Sequence, residues 1–148
     1  MSTAVTLRKI RRGLHPRHAW IIAVTAVVEI GLRTTRLPRL ARLLGVRLGV
    51  DAPPSPDTVP LDPRVRFGIR RAARAIDRVL RRWPFGDTCL RRALILGVLI
   101  RRLDPTLLIG VRRDDDAQIA AHAWLVVAGS TLDPMAAQYL SFGDVTPE

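Results

Sequence analysis

A chain of 148 residues can hold one domain with a real core plus a helical appendage, and 48% hydrophobic content excludes a disordered polymer. A single cysteine, Cys89, excludes an intrachain disulfide and suits a reducing compartment. The formal charge of +11, carried by arginine everywhere except Lys9, attracts acidic partners, anionic membrane or nucleic acid and says nothing of fold.

Residues 1–16 read as a loose basic arm. Arg8-Lys9-Ile10-Arg11-Arg12 and the apolar residues 19–28 outline a signal peptide, but Glu29 breaks the run and no small-residue cleavage site follows. The run also falls short of the ~20 residues a membrane span needs. A packed helix over 16–33 fits better, with Trp20, Ile21, Val24, Val27, Val28 and Ile30 largely buried. Leu37, Leu40, Leu43 and Leu44 mark a shorter helix ending near Gly45. The Pro-rich stretch 51–62 reads as a linker dividing an N-terminal helical region (1–50) from a core (63–148).

Pro63 opens a strongly periodic helix. Val65, Ile69, Ala72, Ala73, Ile76, Val79 and Leu80 share one face, and arginines crowd the others until Trp83-Pro84. Gly86-Asp87-Thr88-Cys89 then begins another apolar helix, which Asp87 or Thr88 can cap. Residues 107–111 read as a buried strand, Asp114-Asp115-Asp116 as a loop and 120–127 as a second strand. A turn at Gly129-Ser130 leads to a third strand over 131–133. Helices followed by an antiparallel sheet make an α+β pattern.

Cys89, His122 and Asp133, in this order, are the parts of a cysteine hydrolase. Cys89 falls in the first turn of its helix, where unpaired backbone N–H groups favour negative charge on sulfur and on an oxyanion. Histidine can hold the thiol proton and return it to a leaving amine, and a carboxylate orients the ring. Alternation along 120–127 puts His122, Trp124 and Val126 on one face. A Gly129-Ser130 turn would set Asp133 opposite Val126, roughly 13 Å along the strand from His122, so the triad needs another turn, a bulge or strong twist. Asp87 is the alternative carboxylate. His15 and His18, in the basic arm, have no acidic neighbour in sequence. Ordinary roles compete with these: a lone cysteine is commonly buried and inert, and a strand histidine is commonly structural. One cysteine and one well-placed histidine do not make a zinc site, isolated glycines do not make a phosphate loop, and few aromatics stand among the arginines, which argues against nucleic acid.

Three segments, Gly86-Asp87-Thr88-Cys89-Leu90-Arg91-Arg92-Ala93-Leu94, Leu108-Ile109-Gly110-Val111-Arg112 and Ala121-His122-Ala123-Trp124-Leu125, together resemble the transglutaminase-like leader peptidases of lasso-peptide biosynthesis. These are the B proteins, in the form encoded apart from their leader-recognition domain. The resemblance spans about residues 63–134. It implies a papain-like transglutaminase core, with the nucleophile helix packed on a small antiparallel sheet. It implies removal of a leader from a ribosomally made precursor, with Cys89 as nucleophile, His122 as base and acid and Asp133 as orienter. No cofactor is expected. A separate recognition protein would present the leader, and an ATP-using lasso cyclase would act afterwards. Relatives often carry an acidic residue two positions after the tryptophan, where this chain has Val126.

The leading expectation is therefore a cytoplasmic cysteine endopeptidase, without a membrane span but with peripheral membrane contact left open. Two other readings stand beside it: a non-catalytic basic adaptor for nucleic acid or an anionic surface, and an acyl transferase in which an amine resolves the thioester.

Overall fold

The computed structural model describes residues 16–49, 61–113, 119–133 and 140–141. The linker prolines 53–56 and the triple aspartate 114–116 lie outside them. Helix α1 (Pro16–Thr34) and helix α2 (Leu37–Leu43) come first, and Gly45 at φ +72° turns the chain out of α2. Strand β1 (Arg47–Leu48) follows, then helix α3 (Pro63–Leu80) and helix α4 (Cys89–Leu99). Strands β2 (Thr106–Arg113) and β3 (Ile119–Val127) form the main hairpin, followed by two-residue strands β4 (Ser130–Thr131) and β5 (Leu140–Ser141).

The fold is α+β, but its sheet is mixed rather than wholly antiparallel. β1 pairs in parallel with β2, Arg47 opposite Thr106 and Leu48 opposite Leu107. The left-handed Gly45 aims this short segment along β2, where the Arg47 amide donates to the Pro105 carbonyl and the Gly49 amide to the Leu107 carbonyl. β5 occupies the other end of the same β2 edge, opposite Gly110 and Val111, while β3 covers the second edge for its full length.

α3 forms as its apolar spacing predicts. Asp62 accepts from the Arg64 amide at 2.7 Å, Pro63 supplies the fixed φ of a first helical residue, and Ile69, Ile76, Val79 and Leu80 are buried. α4 contributes Ala93, Leu94, Ile95 and Leu96 to the same core, with Leu94 and Ile95 fully buried. α1 adds Ile21, Val24 and Val28, and the sheet adds Leu107, Ala123, Leu125 and Val127. One core therefore runs from α1 through α3 and α4 to the sheet. Gly97 lets α4 approach closely, since a Cβ there would stand 2.6 Å from Val46 Cγ2.

Two expectations need correction. Trp20, Val27 and Ile30 are exposed, at 59%, 56% and 62%, because only one side of α1 meets α3 and α4. The hairpin turn is Ala128-Gly129 rather than Gly129-Ser130: φ is positive at both, +48° and +76°, as a two-residue type I′ turn requires. Val127 then pairs with Ser130 and Val126 with Thr131.

Candidate active site

α4 begins at Cys89 because Thr88, itself extended, caps the helix. Thr88 has φ −114° and ψ 148°, its hydroxyl accepts from the Arg91 amide at 3.3 Å, and its carbonyl accepts from the Arg92 amide at 3.0 Å. Thr88 and not Asp87 is thus the cap. The Cys89 and Leu90 amides are the first-turn donors that Thr88 does not take. Cys89 is half-buried, packed against the core on one side and lining a cleft of about 420 Å3 on the other.

The cleft brings together all three residues singled out by sequence. Cys89, His122 and Asp133 line it, with Asp87, Arg92, Trp124 and a floor of Ala73, Ala93, Leu96, Leu125 and Leu132. β4 pairs with Val126 and Val127, and residues from both β3 faces, His122 and Trp124 from one and Ala123 and Leu125 from the other, line the cleft.

The turn position closes the His122–Asp133 gap. Pairing continues beyond β4 through the Leu132 amide, which donates to the Leu125 carbonyl at 3.0 Å. One step further in that register sets Asp133 opposite Trp124, two residues from His122 and on its face. The offset is then ~7 Å along the strand instead of ~13 Å, within reach of two side chains. His122 Nε2 and Asp133 Oδ2 lie 2.8 Å apart. Trp124 is buried and stacks on the imidazole, with ring centroids 5.9 Å apart and 21° between planes. The ring is held by a carboxylate at its rim and an indole on its face. Beyond Trp124, Val126 joins it and Leu108 in a small apolar cluster.

Arg91 and Arg92 divide two tasks that their adjacency in sequence conceals. Arg91 is buried and points at α1. Its Nε and Nη2 each lie 2.8 Å from Glu29 Oε2, while Nη1 donates to the Gly86 carbonyl at 2.7 Å. Glu29 Oε1 accepts from Arg33 Nε at 2.9 Å. Burial alone would push the Glu29 carboxyl up, but Arg91, with the nearby Trp83 indole and Arg33, holds it below the usual carboxylate range. Arg33 also lies over the Phe85 ring, 4.1 Å from its centroid. This network clamps the loop before Cys89 to α1. Glu29 was legible only as the single acid in an apolar helix.

Arg92 lies one helical turn beyond Cys89 and faces the cleft. It pairs with Asp87 and lies 3.4 Å from Asp77. Burial alone would push its guanidinium down, but Asp87, Asp77 and Asp133 together raise it further. Asp87 is thus the partner of Arg92, while Asp133 is the carboxylate on His122. Among the described residues no three His, Cys, Asp or Glu side chains gather as a metal site.

A family model described as Transglutaminase-like superfamily matches residues 24–146, from the middle of α1 to past β5. No curated protein and no solved structure matches the chain.

Proposed function

From the premise that the chain belongs to the transglutaminase-like superfamily, we propose that it is a cysteine endopeptidase that removes the leader from a ribosomally made lasso-peptide precursor. The observation carrying this reading is the 2.8 Å His122–Asp133 pair in the cleft that Cys89 lines at the start of α4. A structural histidine does not need a carboxylate on its rim, an indole on its face and a cysteine in the same cleft.

With Nε2 engaged by Asp133, Nδ1 is the ring atom that exchanges a proton with the thiol. His122 takes the thiol proton as sulfur attacks the scissile carbonyl carbon. The tetrahedral oxyanion is met by the Cys89 amide at the helix start. Collapse breaks the C–N bond, the imidazolium returns its proton to the leaving amine, and a thioester remains on Cys89. Water, deprotonated by His122, then releases the leader as a free acid and regenerates the thiol. Asp133 orients the ring and stabilises its charged form throughout.

A separate recognition protein presents the leader in this scheme, and an ATP-using cyclase joins the exposed amine to a side-chain carboxyl. The test incubates precursor, recognition protein and this chain, and follows products by intact mass. Wild type should yield leader acid and core, and Cys89→Ala neither. Cleavage that survives Cys89→Ala would overturn the peptidase reading. Leader recovered as an amide with an added amine, and never as an acid, would assign an acyl transferase instead.

A further inference from the structure

The outer side of α1 has an unusual composition. A helix apolar on every side is normally enclosed, yet α1 buries Ile21, Val24 and Val28 and leaves Trp20, Val27 and Ile30 more than half exposed, with Ile22 at 36%. Ala19 and Ala23 complete this outer face, so across three turns it carries no charge and only the Trp20 indole as a polar group. Along one flank stand arginines of α3 and of the turn that follows it. His18 and Ile22 share a groove with Arg78 and Arg82, and Arg17 and His18 share another with Arg71 and Arg78. These arginines are exposed, and Arg17, Arg71, Arg78 and Arg82 form no salt bridge among the described residues.

We propose that this face of α1, with its flanking arginines, binds an anionic lipid surface. A second copy of the chain would bring like-charged borders together in a molecule already at +11. A lipid surface meets both halves of the pattern at once. Apolar side chains enter the acyl boundary and need no hydrogen-bond partners there. The indole lies at headgroup level, and arginine stems carry their charge out to phosphate. Spanning is not implied, since no described helix is long and apolar enough to cross a membrane. No α1 residue lines the cleft of Cys89, so docking through this face leaves that cleft open.

Cosedimentation of the full chain with vesicles tests this. Vesicles containing phosphatidylglycerol should bind about tenfold or more tighter than pure phosphatidylcholine vesicles, with affinity falling as salt rises. Arg78→Ala and Arg82→Ala should each weaken binding about fivefold. Val27→Asp and Ile30→Asp, at exposed positions, should each weaken it about tenfold while circular dichroism stays unchanged. Brominated acyl chains should quench fluorescence in wild type and much less in Trp20→Phe. Failure to bind anionic vesicles at low salt would overturn the proposal, as would Val27→Asp and Ile30→Asp binding like wild type. If wild type ignores vesicles but binds an acidic amphipathic peptide, or self-associates through Val27, the face belongs to a protein and the proposal fails.

Discussion

Asp133→Asn is the most informative single change in the cleft. The carboxylate lies 2.8 Å from His122 Nε2. A hydrogen bond to a charged group contributes roughly 1.5–3 kcal/mol, or about 10- to 150-fold at ~1.4 kcal/mol per decade. Asparagine keeps an acceptor for the Nε2 proton but removes the charge that stabilises imidazolium. We therefore expect kcat/KM for precursor cleavage to fall about 10- to 150-fold, mostly in kcat. Asp133→Ala, which also removes orientation, should fall further. The side chains of His122 and Asp133 are 17% and 32% exposed, and asparagine keeps an acceptor in the same place, so Asp133→Asn should cost the fold about 1 kcal/mol and leave the protein folded in the assay. Rates come from quantifying released leader by mass spectrometry, and Tm from calorimetry. Wild-type kcat/KM in both variants, with folding intact, would refute the assignment of Asp133 as orienter.

Other predictions concern the scaffold that holds this geometry. Ala128 sits at φ +48°, a conformation that costs alanine about 1 kcal/mol and asparagine less, because its short amide side chain can hydrogen-bond locally, so Ala128→Asn should raise Tm by about 3 °C by calorimetry. Leu94 is fully buried on the core face of the helix that carries Cys89, and Leu94→Ala should cost about 2–5 kcal/mol in urea unfolding. Glu29 has a carboxyl pKa held below its unfolded value of 4.5. Its contribution to stability is present above pH 4.5 and is lost as pH falls below that value. Glu29→Gln should therefore lower Tm at neutral pH and flatten the acid limb of the Tm–pH curve, and an unchanged acid limb would count against the clamp.

Much of the fold was legible because its signals are long and periodic. The apolar face of α3 runs for five turns behind Pro63, and β3 is a nine-residue strand whose Ala123–Val127 end is an apolar run. The missing pieces are short or relational. β1 and β5 are two residues each and gain their place only from the edge of β2, so no pattern within them announces a strand. Between residues 19 and 28 α1 carries no charge on any side, which leaves sequence little means of telling its buried face from its exposed one. The turn was displaced by one residue because alanine rarely takes a positive φ, whereas Gly129-Ser130 offered glycine first. That single step decides whether Asp133 meets His122. Arg91 and Glu29 are 62 residues apart, and no local spacing connects them.

The central chemical claim is that a peptide carbonyl is captured by the sulfur at the head of α4. A peptide chloromethyl ketone built on the leader sequence, from which sulfur displaces chloride, added to the full chain with the recognition protein, tests this most directly, with the adducted residue identified by tandem mass spectrometry. A thioether at Cys89 should form in wild type, form poorly in His122→Ala and be absent in Cys89→Ala. An adduct elsewhere, or no adduct under conditions where wild type cleaves precursor, would contradict the account.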